Sequence, residues 1–284
     1  MQRGASTFKN RKKNITMKKK YAVLYAPTAN VGDDIQTLAG INFLKKKGIT
    51  EYELVNREEL HKYDGDEINL VMNGWFMHET KNFPPTDKIK PIWISFHIAR
   101  PQIISNNIEY FKNQPPIGCR DQATVDLLQK NGIDAYFTGC LTLFFDEHSK
   151  KGNKKYLVDV NTKVNYIPNI KIDLKLFDDF EVVEHEIMKK GDTDIDNRLI
   201  VANKFLDNYK SASLVVTTRL HCALPCRSLG TDCIFMHKNI KTDPRFKGLE
   251  RVLNGDIKYH NKTSPKDGEL EKIQSFFENY SFSK

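Results

Sequence analysis

Arg219 and His221 stand two residues apart in Thr217-Thr218-Arg219-Leu220-His221-Cys222-Ala223-Leu224-Pro225. This stretch follows the apolar run Leu214-Val215-Val216 and precedes a short helical pattern that ends near Gly230. Arginine is a permanent cation whose planar fork matches a carboxylate or phosphate, and histidine exchanges a proton near neutral pH. In open α/β sheets ligands collect outside the carboxyl ends of the strands, where these two residues fall. The pair predicts a site that holds a small anion on Arg219 and does acid–base chemistry with His221. The N-terminus of the following helix would add backbone N–H donors and partial positive charge.

Other segments repeat this strand-then-polar pattern. His97 follows a strand expected over Pro91–Phe96 and is a second acid–base candidate. Arg120 follows the extended stretch Pro115–Cys119, where Gly118 permits close backbone approach. Asp121 then caps a helix and is also the obvious ion-pair partner for Arg120. Asn30-Val31-Gly32-Asp33 opens the first helix and forms a candidate ligand loop. There Gly32 lets the chain turn tightly, and Asp33 serves as a helix cap, a sugar-hydroxyl ligand or an orienting acid. It is not a Walker phosphate loop, because no Gly-Lys-Ser/Thr follows. Trp75, in Asn73-Gly74-Trp75-Phe76, either stacks on a sugar or plugs a cleft. Cys222 and Cys226 fall on one helical face, but without a second pair at ligand spacing they read as small buried hydrophobes. No metal site is expected.

These residues need elements to hold them. Strands are expected at Tyr21–Ala26, Tyr52–Val55, Ile68–Met72, Ile92–Phe96 and Ala135–Phe137, with helices over Asp33–Lys47, Gln102–Lys112 and Asp121–Gln129. The apolar positions of the first helix mostly share one face. Asp146–Lys155 is charged and reads as a linker. Beyond it, strands are expected at Tyr156–Val160, Phe180–His185, Leu214–Thr218 and Cys233–Met236. Helices are expected at Asp196–Tyr209, Cys222–Leu229, Phe246–Leu253 and Gly268–Tyr280, with a loop and short helix over 161–179. Alternating strands and helices in both halves predict an α/β chain of two Rossmann-like domains, residues 21–148 and 155–284, facing a cleft.

Composition narrows the function classes. The net charge of +8 comes from a tail, since residues 1–20 carry 8 basic residues and no acid; from Tyr21 onward 36 basic residues meet 36 acidic ones. The tail is expected to be a disordered leader, and a nucleic-acid partner is not expected. Neither a membrane span nor a secretory signal is expected. Five scattered cysteines suit free thiols in a reducing compartment, hence the cytoplasm.

Three segments together resemble the polysaccharide pyruvyl transferase family. They are Asn30-Val31-Gly32-Asp33; Ile117-Gly118-Cys119-Arg120-Asp121 with Thr138-Gly139-Cys140-Leu141-Thr142 beyond it; and Thr218-Arg219-Leu220-His221 with Ala223-Leu224-Pro225. The resemblance implies a fold like that of two-domain glycosyltransferases (GT-B). It also implies transfer of the enolpyruvyl group of phosphoenolpyruvate onto sugar hydroxyls of a glycan, forming a pyruvate ketal and releasing phosphate. It implies donor binding by Arg219, Arg120 and Leu220, proton transfer by His221 or His97, and no required cofactor. The chain is short for such an enzyme, and residues 143–195 carry no family landmark. Two other readings stay open: a GT-B glycosyltransferase using a nucleotide sugar, and an inactive carbohydrate-binding relative.

Overall fold

The computed structural model describes residues 19–148, 150, 152–160, 179–237, 239–253 and 269–282. In chain order, β1 (Tyr21–Tyr25) leads into α1 (Val31–Lys46), β2 (Glu53–Asn56), β3 (Ile68–Val71), β4 (Gly74–Phe76), β5 (Ile89–Ile92) and β6 (Phe96–Ile98). Next come α2 (Gln102–Ser105), α3 (Ile108–Lys112), β7 (Ile117–Cys119), α4 (Gln122–Lys130) and β8 (Ala135–Phe137). The second half holds β9 (Lys154–Val158), β10 (Glu181–Val183), α5 (Ile195–Ser211), β11 (Ala212–Thr217), α6 (Leu220–Ser228), β12 (Cys233–Phe235), α7 (Glu250–Leu253) and α8 (Glu269–Asn279).

The class is mixed α/β with parallel strand pairing, as the alternation of patterns predicts. The strands form three four-stranded sheets, ordered β2-β1-β3-β5, β4-β6-β7-β8 and β10-β9-β11-β12. Two of these lie in the first half because its strands break. Ser95 adopts φ 57° and splits the expected strand Ile92–Phe96 into β5 and β6. Gly74, at φ 145°, marks the matching passage from β3 to β4; a side chain at either angle is strained. His97 therefore lies inside β6, not beyond a strand end. Trp75 likewise lies inside β4, in register with His97 on the neighbouring strand.

The first helix also departs from expectation. It begins at Val31, and the Asn30 side chain caps it by accepting from Gly32 N at 2.9 Å. Asp33 is thus a first-turn residue and not the cap. Nor is α1 buried along one face: Val31, Ile35, Ala39, Phe43 and Leu44 are buried, and so are Asp34, Gln36 and Thr37. It packs on β1 of one sheet and on α5 and α6 of another. The Asp34 carboxylate pays for its burial with a bidentate pair to Arg198, 2.9 Å at each oxygen. Arg198 also donates to the carbonyls of Ala26 and Thr28, so it holds the loop that leads into α1.

Two further helices break where their sequences are polar. The expected helix Gln102–Lys112 is two short ones parted by Asn106 and Asn107. That expected over Phe246–Leu253 is a 3-10 turn, Pro244–Phe246, followed by α7. All five cysteines are buried and free. Residues 1–18 of the basic tail and 161–178 of the expected loop and short helix lie outside the described residues. Among the described residues no helix is long and apolar enough to cross a membrane.

Candidate active site

Local sequence explains how the site residues are presented. In β7, a Cβ at Gly118 would stand 2.6 Å from the Trp93 carbonyl oxygen and 2.7 Å from Thr138 Cγ2, so only glycine fits there. The chain then turns at Arg120, whose N–H bonds Phe96 O, and Asp121 caps α4 by accepting from Thr124 N at 2.9 Å. In α6, Pro225 has no N–H to return to the carbonyl of residue 221. His221 accordingly leaves helical geometry (φ −83°, ψ 21°), and the helix kinks at that residue.

His97 and Arg120 meet at Asp121. His97 Nδ1 lies 2.6 Å from Asp121 Oδ2, and Thr124 Oγ1 donates to Asp121 Oδ1 at 2.9 Å. All three of His97, Arg120 and Asp121 are buried. Burial would raise the Asp121 carboxyl, but His97, Arg120 and the Thr124 N–H together hold it below its ordinary range. Asp121 is thus ionised, Nδ1 of His97 donates to it, and Nε2 is left as the proton-accepting atom. Burial first, and the Arg120 charge second, bring His97 down to about 4.

Arg120 is 1% exposed, yet its Nε and Nη2 have no hydrogen-bond partner among the described residues. Nε is 3.4 Å from Asp121 Oδ2, an ion pair without hydrogen-bond geometry. A buried guanidinium with two idle donors costs free energy unless something fills them. His221 Nε2 is likewise buried without a partner. Burial depresses the His221 imidazole well below its ordinary range, followed by the charges of Arg120, His185, His97 and Arg245. The charge of Arg120 thus acts on both His97 and His221.

The Asn30–Asp33 segment, the candidate ligand loop, lies against His221. A Cβ at Gly32 would come 3.2 Å from His221 Cβ and 3.0 Å from Asn30 Oδ1. The next residue, Asp33, accepts from Thr28 Oγ1 at 2.6 Å and from Arg57 Nη1 at 3.1 Å. Arg57 lies 5.7 Å from the Trp75 ring centroid, and Trp75 pairs across the sheet with His97. From His221 through Gly32, Asp33, Arg57, Trp75 and His97 to Arg120 each residue is tied to the next by sequence, contact, strand register or a shared carboxylate, and the Arg120 charge acting on His221 completes the circuit.

Arg219 is placed differently. Its Nε donates to Asp159, and its Nη2 donates to Glu186 at 2.9 Å. Glu186 belongs to a segment that straps the ligand loop, bridging to Asn30, with His185 O accepting from Val31 N. The expected anion ligand thus has two carboxylates on it, whereas Arg120 has idle donors. Leu220, half-buried, packs at the edge of the core as the first residue of α6.

Sequence reasoning passed over Arg57 and Arg245. Arg57 directly follows β2, the same strand-end position that singled out Arg219 and Arg120. Arg245 is held by Asp243, with Nη2 2.6 Å from Oδ2, on a turn that docks where Gln122 N bonds Lys247 O. Its charge reaches both His97 and His221. Among the described residues no group of three or more His, Cys, Asp or Glu side chains could hold a metal ion.

No curated protein matches the chain. A crystal structure of a functionally uncharacterized protein from Klebsiella pneumoniae subsp. pneumoniae NTUH-K2044 shares the fold, with a TM-score of 0.52 at 18% identity over 80% of this chain and 87% of that one. The sequence profile of the polysaccharide pyruvyl transferases matches residues 30–236, from the cap of α1 to just past β12. Well over half the chain is covered, and the circuit around Arg120, His97 and His221 lies within the match: the chain belongs to the polysaccharide pyruvyl transferase family.

Proposed function

We propose that the chain transfers the enolpyruvyl group of phosphoenolpyruvate to hydroxyls of a glycan, forming a pyruvate ketal in a hollow between two lobes. The observation that carries this reading is Arg120, a buried guanidinium with two unpartnered nitrogens beside two histidines. A carboxylate or phosphate oxygen would satisfy those nitrogens with charge-assisted hydrogen bonds. Arg219 is the second anion ligand once Glu186 gives way to the donor, and Leu220 lines the same turn.

In the net reaction C3 of the donor gains a proton and C2 becomes oxocarbenium-like. A sugar hydroxyl attacks C2 and loses its proton. The C2–O bond to phosphate breaks, and a second hydroxyl closes the ring as its proton passes to the departing phosphate. His221 is neutral in the empty site, so its resting capacity is to accept a proton. Burial is the larger cause of the depression and the Arg120 charge the next; a dianion bound on Arg120 cancels that second cause and favours the imidazolium that donates to C3. His97, oriented by Asp121, takes the hydroxyl proton on Nε2. Such positioned proton transfer is worth on the order of 10²–10⁴ in rate. No cofactor is needed for these steps.

The test is phosphate release from phosphoenolpyruvate with a panel of glycans, run beside nucleotide diphosphate release from nucleotide sugars. Glycan-dependent phosphate release is the expected result. Nucleotide diphosphate release, or donor turnover indifferent to glycan, would overturn the reading.

A further inference from the structure

The circuit has two chemically different halves. The half around Arg120 presents idle cationic donors. The other half, around Trp75, carries two carboxylates for one guanidinium. Arg57, 3% exposed, bonds Asp33 through Nη1 and Glu58 through Nε at 2.9 Å, while its Nη2 is buried without a partner among the described residues. Glu58 also accepts from His78 N at 3.3 Å and lies 3.1 Å from His78 Nδ1. The His78 ring meets the half-buried Trp75 indole with centroids 4.8 Å apart. Asp33 and Glu58 stay partly exposed, at 14% and 20% of their side chains.

We infer that Trp75, Arg57, Asp33 and Glu58 form a subsite for an uncharged pyranose ring, in which Arg57 positions both carboxylates. The excess negative charge repels a phosphate or carboxylate, so the donor is directed to the Arg120 half. Carboxylate oxygens accept hydrogen bonds from sugar hydroxyls. The idle Nη2 of Arg57 supplies a donor for a hydroxyl or ring oxygen, and the exposed part of the indole covers the C–H side of the ring. This assignment of the acceptor side rests on the pyruvyl-transfer reading for its purpose, but the subsite itself is a statement about sugar binding. Trp75 is in register with His97, so a ring bound there brings its hydroxyls next to the Asp121-oriented imidazole.

The experiment is calorimetric titration of the full chain with methyl pyranosides of glucose, galactose, mannose and N-acetylglucosamine, with phosphoenolpyruvate titrated in parallel. Saturable binding of at least one glycoside is expected, together with a change in tryptophan emission that disappears in Trp75→Phe, because the other tryptophan, Trp93, is 2% exposed. Asp33→Asn and Arg57→Met should weaken that glycoside at least tenfold, with Arg57→Lys intermediate, while phosphoenolpyruvate affinity stays within twofold. Retained donor affinity also shows that each variant is folded; should Arg57→Met fail to fold, Asp33→Asn and Trp75→Ala carry the test. Absence of binding by all four glycosides, or equal binding by parent and variants, would overturn the subsite. Glycoside binding without phosphoenolpyruvate binding would leave the subsite standing and remove the pyruvyl-transfer reading.

Discussion

His97 Nδ1 and Asp121 Oδ2 lie 2.6 Å apart, and the same carboxylate caps α4. One buried acid thus orients an imidazole and closes a helix end. Asp121→Ala removes both roles and takes away the carboxylate paired with the buried Arg120, so it should destabilise the fold by about 3–5 kcal/mol. Urea unfolding measures this. A loss under about 1 kcal/mol would show that the pair is not structural.

The depressed imidazoles make stability depend on pH. Folded His97 titrates at about 4 against 6.5 for an ordinary histidine, so the unfolded chain binds more protons between those values. Its contribution is fully present above pH 6.5 and is lost as pH falls toward 4, by up to about 3 kcal/mol. Asp34 acts in the opposite sense: burial, only partly offset by Arg198, raises it from 3.8 to about 6, so acid between those values favours the folded state. His97→Asn should therefore lose less stability than the parent between pH 7 and pH 4. An identical slope in the two proteins would contradict the assignment.

Arg120→Gln should weaken phosphoenolpyruvate at least tenfold and raise the titration midpoints of His97 and His221, since the Arg120 charge depresses both. Calorimetry reads the first and imidazole NMR the second. Unchanged midpoints would show that the three side chains do not share a field.

Glu186 accepts from Arg219 Nη2 at 2.9 Å. Removing its charge in Glu186→Gln should tighten donor binding two- to tenfold, and Arg219→Ala should weaken it. If both variants bind the donor as the parent does, Arg219 is a structural residue, pinned between Asp159 and the strap.

Gly32→Ala tests the join between ligand loop and histidine. Its methyl would crowd Asn30 Oδ1 at 3.0 Å and His221 Cβ at 3.2 Å. Turnover should fall about tenfold or more through misplacement of reacting groups, because errors of an ångström are costly there. The melting temperature should change little. Parent-like turnover would place His221 away from the chemistry.

Much of this was legible in the chain. The runs that became β1, β3, β7, β8, β11 and β12 are apolar and short, and the helices α4, α5, α6 and α8 carry clear periodicity or caps. Arg120 and His221 follow strands as their sequence contexts suggest, whereas His97, expected just past a strand end, lies inside β6. What stayed hidden were features set by long-range contact. Ser95 has no residue-type signature for a left-handed turn, so the break that creates the middle sheet could not be read. Asp34 and Arg198 are 164 positions apart, and only the fold shows why a charged helix such as α1 can be buried on several sides. Arg57 and Arg245 look like ordinary surface cations until Asp33, Trp75 and the docked turn surround them.

The burial of α1 has a consequence for redesign. Its first turn lies against His221 and its body is gripped by β1, α5 and α6, so few of its positions can vary without disturbing both. A substitution library would find its tolerance elsewhere, in the turns that carry Glu58, His78 and Arg245. Altered acceptor preference should be sought by diversifying those turns while α1 keeps its parental sequence.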